Sequence, residues 1–357
     1  MKILALDLGK YKTVGCAYEG ASGRHRFKTS FTTPTGLAQL VREVKPDRVV
    51  IEVCNIAGWV CDLLRGMGVE VQVANTSEDA WRWRKVKKKN DRCDALKAAQ
   101  LSAVNQLSEV YIPNIEVRQW RALIAFRQQL VRRRGKVKNH IRDLLVSEGQ
   151  ILPRGAKCWT QLGRAHLEGL AKDFSELGMN ELWRGQLAVE LRQLRELQRE
   201  IEGVEEKLDA IAKADPRIAL LRTIPGVGPR LSEAIVALLD QPERFQKARE
   251  VSAYVGMVPK ELDSGETTRR GRITKHGSRL VRSLLVEVAW AGLRYNPWVR
   301  ETFKRISGGK KSRQKIAIVA VGRQLLVRCW AMLRDGTSWQ PTSLHTFNRS
   351  PKPARQQ

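Results

Sequence analysis

The chain has 357 residues, of which 42% are hydrophobic, and its 64 lysines and arginines outnumber its 37 aspartates and glutamates. That length favours two or three domains, and the formal net charge of +27 favours a polyanionic partner, because such an excess repels itself. No apolar run approaches the ~20 residues that cross a bilayer, and no signal-peptide cleavage site follows the N terminus, so we expect nucleic acid rather than a membrane as the partner.

The six cysteines are scattered, none lies in a Cys-x-x-Cys pair, and the five histidines do not cluster beside them. A structural zinc site is therefore not expected, because such sites draw their ligands from clusters of this kind. In a chain of this length, isolated cysteines are typical of reduced thiols in the cytoplasm. A nucleic-acid partner would place the protein at the nucleoid.

Residues 1–104 carry strand and helix patterns in alternation. Apolar runs such as KILALDL and RVVIEVC predict buried strands, and segments such as TGLAQLVREV, with apolar residues at helical spacing, predict helices. The predicted order is a meander of three strands, then helix, strand, helix, strand and helix. This is an α/β layout with a mixed sheet, and it is the element order of the ribonuclease-H-like fold.

Residues 105–215 are predicted to form a basic helical region and then a coiled coil. The stretch 117–142 contains nine lysines and arginines and no acid, and we expect Arg132, Arg133 and Arg134 to contact nucleic acid. Further along, apolar residues recur at steps of three and four, at Leu187, Leu191, Leu194, Leu197, Ile201, Val204, Leu208 and Ile211. This seam indicates either a helix packed within one subunit or an arm for self-association.

Residues 216–335 are predicted to form a third unit, which is mostly helical and starts where Pro216 breaks the long helix. Its turn Pro225-Gly226-Val227-Gly228 resembles a helix-hairpin-helix turn, in which Gly226 and Gly228 let backbone N–H groups approach a phosphate. The alternative is an ordinary tight turn between two helices. Residues 336–357 contain prolines and few apolar residues, which predicts a disordered tail.

Four carboxylates lie where charge is costly or concentrated. Asp7 and Glu52 fall inside apolar strand runs, and Asp91 and Asp94 share one face of a helix in its first turn. A salt-bridged core acid explains either strand residue alone, and the helix dipole explains the pair. If the fold brings both strands beside that helix, the four meet in one pocket that hard cations such as Mg²⁺ or Mn²⁺ would stabilise. Two such ions can hold both oxygens of a phosphoryl displacement.

Lysines stand directly before the aspartate pair, at Lys87, Lys88 and Lys89. We expect them to bind phosphates, since the metal-dependent chemistry predicted for the aspartates needs a polyanion nearby. Trp81 and Trp83 alternate with arginines just upstream. They have two interpretations, stacking on bases or burial against the sheet.

A second basic segment lies in the C-terminal unit. Its candidate phosphate contacts are Arg269, Arg270, Arg272 and Lys275. The same segment contains Ser264 and Ser278 as candidate nucleophiles. A serine is a poor nucleophile unless a neighbouring group activates it, so residue type alone does not single out either one.

Six short motifs in this order resemble the DEDD-type transposases of bacterial insertion sequences, in the insertion-sequence one-ten family that is related to the Piv and MooV DNA recombinases. The motifs are LDLGK with Asp7, IEVC with Glu52, KNDRCDA with Asp91 and Asp94, IPGVGPRLSEAI, YVGMVPKELDSG, and GRITKHGSRLVRSLLVEVAW. The resemblance covers nearly the whole chain, from the first of these motifs to the end of the predicted third unit.

The resemblance implies a RuvC-like nuclease domain, a coiled coil and a C-terminal transposase domain. It implies a Mg²⁺ or Mn²⁺ site formed by Asp7, Glu52, Asp91 and Asp94. It also implies a nucleophilic serine, and Ser264 occupies the family's Ser-Gly position. The implied partners are donor DNA, target DNA, a structured bridge RNA encoded by the element, and further copies of the chain in a dimer or tetramer. One departure is Asp263, where the family pattern more often has serine.

Three other interpretations remain. A metal-only resolvase of the RuvC type would hydrolyse DNA with water, which leaves the C-terminal third without a role. An actin-like or sugar-kinase ATPase would explain LDLGKYKT as a phosphate loop, but a second Asp-Gly loop and a glycine-rich adenosine site are missing from the sequence. A non-catalytic nucleic-acid scaffold would bind DNA equally well after Asp7→Ala.

Overall fold

The computed structural model describes residues 1–75, 90–153, 155–264 and 267–341, and within 261–270 it describes the backbone without the side chains. The chain divides into two compact units, Met1–Gln119 and Trp120–Gln357. The first is an α/β unit and the second is mostly helical, in agreement with the predicted fold class.

The N-terminal unit contains the predicted elements in the predicted order. They are β1 (Lys2–Leu8), β2 (Lys12–Glu19), β3 (His25–Phe31), α1 (Pro34–Val44), β4 (Arg48–Glu52), α2 (Ala57–Gly66), β5 (Glu70–Ala74) and α3 (Asp91–Ala103). The strands form one mixed sheet in the order β3-β2-β1-β4-β5, in which β2 is antiparallel to both neighbours and β4 is parallel to both of its own. This layout is consistent with the ribonuclease-H-like expectation.

Alternate residues of the strands contribute to two cores, one on each face of the sheet. The core shared with α1 and α2 contains Leu4, Leu6, Val49, Ile51, Leu37, Leu40 and Leu64. The core shared with α3 contains Ile3, Ala5, Val50, Ala74, Ala98 and Ala99. Because alanines line most of the second core, the α3 backbone can lie close to the sheet.

The N-terminal unit continues beyond residue 104, where the sequence suggested a boundary. Glu109 forms a bridge with Ala74, and the Val110 amide donates to the carbonyl oxygen of Val73 at 2.8 Å. Further along, the Arg118 guanidinium pairs with the Asp62 carboxylate of α2. These bonds hold residues 105–119 to the sheet and its helix.

The second unit is built mostly from helices. They are α4 (Ile115–Ser147), which begins before the unit boundary, α5 (Gln161–Leu170), α6 (Leu182–Ala214), α7 (Pro216–Arg222), α8 (Pro229–Leu239), α9 (Ala248–Val255), α10 (Arg279–Tyr295), α11 (Pro297–Ser307) and α12 (Gln314–Asp335). Short 3₁₀ turns occur at Gly155–Trp159, Phe174–Glu176, Met179–Glu181, Pro242–Arg244 and Lys311–Arg313. A two-stranded hairpin is formed by β6 (Pro259–Ser264) and β7 (Thr267–Ile273).

Helices α4 and α6 form a long antiparallel pair. Arg127 pairs with Glu205, Arg134 Nη1 donates to Gln198 Oε1 at 2.7 Å, and His140 Nδ1 lies 2.9 Å from Glu190 Oε1. The partner numbers on α6 fall as those on α4 rise, so the helices run in opposite directions.

The apolar seam of α6 is buried inside the chain. Leu187, Leu191 and Leu194 pack with Ile141 and Leu145 of α4 in one cluster. The C-terminal part of the seam joins the core of the second unit through Val204, Leu208 and Ile211. Of the two interpretations of this seam, the structure shows packing within one subunit.

The segment Lys311–Asp335, which contains α12, is long and apolar enough to cross a membrane, contrary to the expectation that no segment would be. Half of its apolar stretch is buried within the protein. Val321, Leu325 and Cys329 are at most 1% exposed and belong to the main core of the second unit. The apolarity of α12 is therefore explained by its position at the centre of a helical core.

The first residues of the predicted disordered tail are packed. The Trp339 ring lies edge-on to Trp298, with centroids 5.5 Å apart, and the Trp339 amide donates to Thr223 Oγ1 at 3.0 Å. The Arg328 guanidinium lies 4.5 Å from the Trp298 ring and 4.8 Å from that of Trp339. Residues 336–341 therefore belong to the folded unit, and 342–357 lie outside the described residues.

Glu233 of α8 is a buried carboxylate, 1% exposed. Arg230 Nη1 donates to its Oε1 at 3.0 Å, and the same guanidinium pairs with Asp209 of α6. Within the described residues, Glu233 Oε2 has no hydrogen-bond partner. Burial raises the pKa of Glu233 to about 7, and the Arg230 charge opposes that rise only in part.

We expect Glu233→Gln to remove a pH dependence of stability. A carboxyl whose pKa is raised on folding stabilises the protein below its unfolded pKa of about 4.5, and this stabilisation is lost as the pH rises through about 7. The loss amounts to about 3 kcal/mol. Urea unfolding at pH 5 and pH 8 should show the variant gaining about that much over wild type at the higher pH. Asp209→Asn, which removes the more exposed partner of Arg230, is the control, and equal pH profiles for wild type and Glu233→Gln would contradict the assignment.

Candidate functional site

Asp7 and Glu52 lie on neighbouring parallel strands at the same end of the sheet. Leu6 of β1 is in register with Ile51 of β4, so the next residue on each strand brings Asp7 beside Glu52. Residues two apart point to the same face of a strand. Asp7 therefore lies on the face of Ala5, and both carboxylates lie on the side of the sheet that packs against α3.

Helix α3 runs antiparallel to β4. Near its C-terminal end, Ser102 Oγ donates to Gln72 Oε1 at 2.6 Å, and Arg48 Nη1 at the start of β4 donates to Ser102 Oγ at 3.4 Å. The eight residues back to Asp94 span about 12 Å of helix. The four residues from Arg48 to Glu52 span about 13 Å of strand. The first turn of α3 therefore lies level with the strand ends that carry Asp7 and Glu52.

Local sequence explains both ends of this arrangement. Asn90 caps α3, because its Oδ1 accepts the Cys93 amide at 2.8 Å, and the cap starts the helix directly at Asp91. Asp91 is exposed, whereas Asp94 is 8% exposed on the side that packs on the sheet. Gly9 lies in the turn after β1. A side chain does not fit at this position, because a Cβ there would overlap the carbonyl oxygen of Lys12. The LDLGK segment is thus the end of β1 and the start of a tight turn into β2.

The donor set suits a divalent metal ion. All four predicted ligands are carboxylates, which Mg²⁺ and Mn²⁺ prefer, and the backbone places them on one side of the sheet at one end. Among the described residues, no three Asp, Glu, His or Cys side chains lie close enough together to hold a metal ion. The prediction that the four carboxyl groups meet in one pocket is therefore not confirmed at the level of the side chains, and it stays a prediction.

Ser264 lies at the tip of the β6–β7 hairpin. It is the last residue of β6 and pairs with Thr267, across a turn whose two residues lie outside the described parts. Below it, Arg269 is in register with Leu262 and Arg270 with Glu261. The hairpin therefore holds the predicted nucleophile and three of the predicted phosphate contacts, Arg269, Arg270 and Arg272, within one short two-stranded sheet.

The base of the hairpin is clamped to α9 and α10. A Cβ on Gly256 would overlap the His276 backbone, and one on Gly277 would overlap the Tyr254 carbonyl, so two chain segments touch there. Arg282 Nη1 donates to the carbonyl oxygens of Val255, His276 and Gly277, at 2.8, 2.9 and 3.1 Å. Arg282 is thus a structural residue that holds the base of the hairpin.

Ser278 has a structural role that sequence reasoning missed. It is the N-cap of α10, and its Oγ accepts the Val281 amide at 3.3 Å. A serine directly before an apolar-periodic helix is the signal that could have identified this cap. Since a cap accounts for Ser278, Ser264 is the stronger of the two candidate nucleophiles.

The Pro225–Gly228 turn joins α7 to α8. Gly226 has a φ of 90°, which favours glycine, and Gly228 is the N-cap of α8. Asn296, between α10 and α11, holds the turn in place, because its Nδ2 donates to the Pro225 carbonyl oxygen at 3.2 Å. Gly226 is exposed, so its backbone is accessible to a phosphate. Contact of Gly226 and Gly228 with nucleic acid stays a prediction.

The other predicted basic contacts differ in their surroundings. Arg132 and Arg133 are exposed on α4, whereas Arg134 is half-buried and bonded to Gln198. Arg272 and Lys275 are both exposed near the end of β7. The remaining predictions, Lys87, Lys88, Lys89, Trp81 and Trp83, lie outside the described residues.

Two family profiles match the chain. Residues 4–148 match a profile for DEDD transposases of the IS110 type, described as "Transposase". Residues 218–304 match the profile described as "Transposase IS116/IS110/IS902 family". Together the matches cover well over half of the chain. The first includes all four predicted carboxylates, and the second includes Ser264.

Several curated proteins are similar in sequence. The transposase for insertion sequence element IS1111A of Coxiella burnetii is 29% identical, over 83% of this chain and 79% of that protein. A probable family 20 transposase of Pseudomonas aeruginosa is 28% identical, over 84% of this chain and 88% of its own length. The pilin gene-inverting protein of Moraxella lacunata is 28% identical over 33% of this chain and 37% of its own. The first two alignments are long enough to include parts of both compact units.

Proposed function

We propose that this protein, which belongs to the IS116/IS110/IS902 family of transposases, cuts and rejoins DNA through a carboxylate metal site and a serine nucleophile. Membership of the family makes it a DNA transposase that acts on donor and target DNA. The finer proposal rests on one observation: the first turn of α3 lies level with Asp7 and Glu52, on the same side of the sheet.

Asp7, Glu52, Asp91 and Asp94 would hold the metal, for which we propose Mg²⁺, with Mn²⁺ as a substitute. When bound, such an ion supplies Lewis-acid polarisation of a phosphoryl oxygen and neutralises its developing charge. The protein contributes the end of the sheet and the capped start of α3, which hold the backbone of each of the four carboxylate residues. Carboxylates crowded at one place also favour binding of a cation, because the cation relieves their mutual repulsion.

Ser264 is proposed to attack the scissile phosphorus. Its Oγ loses its proton and forms a new O–P bond while the bond from phosphorus to one DNA oxygen breaks. The departing oxygen takes up a proton to become a hydroxyl, so the step consumes no net proton. The resulting phosphoserine ester keeps the bond energy, so attack by a DNA hydroxyl can rejoin a strand without ATP. Arg269, Arg270 and Arg272, on the same hairpin, would neutralise the charge on the non-bridging oxygens.

The partner set in the proposal includes RNA. A structured RNA encoded by the element would pair with donor and target DNA, and the protein would bind both nucleic acids mainly through their backbones. The net charge of +27 supports this, because backbone binding depends on cations rather than on base readout. The proposal also includes a homo-oligomer, because joining a donor to a target requires several strand cleavages.

Chelation of divalent ions should abolish strand cleavage. The test uses wild-type protein, the element's DNA ends and a transcript of its flanking noncoding DNA. EDTA should stop the reaction, and Mg²⁺ or Mn²⁺ should restore it, because the carboxylates cannot polarise a phosphate themselves. Cleavage that persists after chelation would contradict the metal site. Products that carry no covalently attached protein would instead favour the metal-only resolvase.

A further inference from the structure

Two cations lie close to the ring of Trp159, which is the last residue of the 3₁₀ turn Gly155–Trp159. Lys138 Nζ lies 4.9 Å from the ring centroid, and Arg142 Cζ lies 5.3 Å from it. Both cations come from α4, and the indole comes from the segment that follows this helix. A cation close to an aromatic ring is held by the negative face of the ring, but the ring does not neutralise its charge.

The cations form a stripe along α4. Arg134, Lys138 and Arg142 are spaced four residues apart, so they share one helix face and repel one another. Arg164, at the start of α5, adds a fourth charge beside Trp159, because its Nε donates to the Trp159 carbonyl oxygen at 3.0 Å. No aspartate or glutamate in the described chain forms an ion pair with any of these four.

Burial adds to the cost of this charge. Desolvation lowers the pKa of Lys138, and the charges of Arg134, Arg164 and Arg142 lower it further. Keeping Lys138 charged in the free protein therefore costs free energy, and a bound anion would remove that cost.

The cluster is held in shape by backbone contacts. Arg142 Nη2 donates to the Gly155 carbonyl oxygen at 2.6 Å. A Cβ on Gly163 would overlap the backbone of Cys158, so α5 starts in direct contact with the 3₁₀ turn. Cys158 is buried at 1% exposure in the core between α4 and α6. Because these contacts fix the backbone around Trp159, the cations are arranged before any ligand arrives.

We propose that the cluster of Arg134, Lys138, Arg142, Arg164 and Trp159, which we name the Trp159 cluster, binds the phosphodiester backbone of a nucleic acid. It lies outside the β6–β7 hairpin and outside the carboxylate end of the sheet. Most of the segment that supplies Trp159 and Arg164 also lies outside both family matches, which end at residue 148 and resume at 218. The inference rests on the proposed function only in taking nucleic acid as the partner.

A chain of phosphates fits this cluster better than a single anion does. The three α4 cations are spread along the helix at intervals of about 6 Å. A lone phosphate could reach only part of such a row, whereas a nucleic-acid strand presents one charge after another. The half-buried indole adds an apolar surface beside the charges, as in other sites that follow a nucleic-acid backbone.

The test is the salt dependence of binding by the full-length protein. The double variant Lys138→Met and Arg164→Gln removes two charges while keeping side-chain bulk. The control is Arg195→Gln with Arg199→Gln on α6, which removes two exposed charges that are already paired with Glu168 and Glu196. Each protein is titrated with duplex DNA of unrelated sequence and, separately, with duplex RNA. Circular dichroism melting checks that both variants are folded.

We expect the double variant to reduce the slope of log K against log salt concentration by about 1.8 with DNA, since each lost phosphate contact removes about 0.9. The control should change it far less. A reduction seen only with RNA would support the cluster and identify RNA as its ligand. If neither slope changes beyond the control, the proposal is overturned. Because this test measures binding and not cleavage, it stands or fails separately from the metal and serine assignments.

Discussion

Ser264→Ala should abolish the covalent protein–DNA intermediate and reduce strand exchange by at least about 10³-fold, because the variant lacks the attacking oxygen. The measurement is denaturing gel electrophoresis of labelled DNA ends, in which the intermediate migrates as a protein-linked band that protease removes. Binding of DNA should stay close to wild type, since the hydroxyl carries no charge. A protein-linked band that survives in Ser264→Ala would contradict the assignment.

Ser278→Ala is the matched control for this experiment. It is the same substitution in the same basic segment, but it removes a helix cap, since Ser278 Oγ accepts the Val281 amide. We expect it to lower stability by about 0.5–2 kcal/mol, the usual cost of losing an N-cap. It should leave the covalent intermediate intact. If Ser278→Ala abolished the intermediate while Ser264→Ala retained it, the two roles would be exchanged.

Much of the N-terminal unit was predictable because its signals are local. The strands β1 and β4 are apolar on both faces, as expected of strands covered by helices on both sides. The helix that carries Asp91 and Asp94 starts at an Asn cap and continues for 13 residues. The direction of α3 was not predictable, because it depends on bonds from Ser102 to Arg48 and Gln72, which are distant in sequence.

The partners of the apolar faces were also beyond the reach of the sequence. Periodicity identifies the buried side of α6, but it does not say whether α4 or another subunit covers it, and here Glu205 and Gln198 find their partners on α4. The same limit applies to cations. Arg282 and Arg272 are both arginines of one basic segment, yet among the described residues only Arg282 donates to three carbonyl oxygens.

Asp94→Asn should reduce metal-dependent strand cleavage by at least about 100-fold. The substitution keeps the shape of the side chain but removes one charge from the donor set, and charge stabilisation by a bound metal is worth several kcal/mol. A second readout does not involve activity. Saturating Mg²⁺ or Mn²⁺ should raise the melting temperature of wild type. The reason is that a ligand at 100 times its Kd adds about 2.7 kcal/mol to the free energy of unfolding. Asp94→Asn should lose most of this shift.

Asp47→Asn is the matched control, because it makes the same chemical change in the same unit at the opposite end of the sheet. Asp47 precedes β4 and accepts the Lys2 amide at 2.6 Å, which an asparagine oxygen can also do. Its cleavage rate and metal-dependent melting shift should therefore match wild type. If the two variants lost cleavage equally, the effect would be one of net charge on DNA binding rather than of metal ligation. If Asp94→Asn kept both the shift and the activity, the first turn of α3 would have no part in the metal site, and Asp7 with Glu52 would have to find other donors.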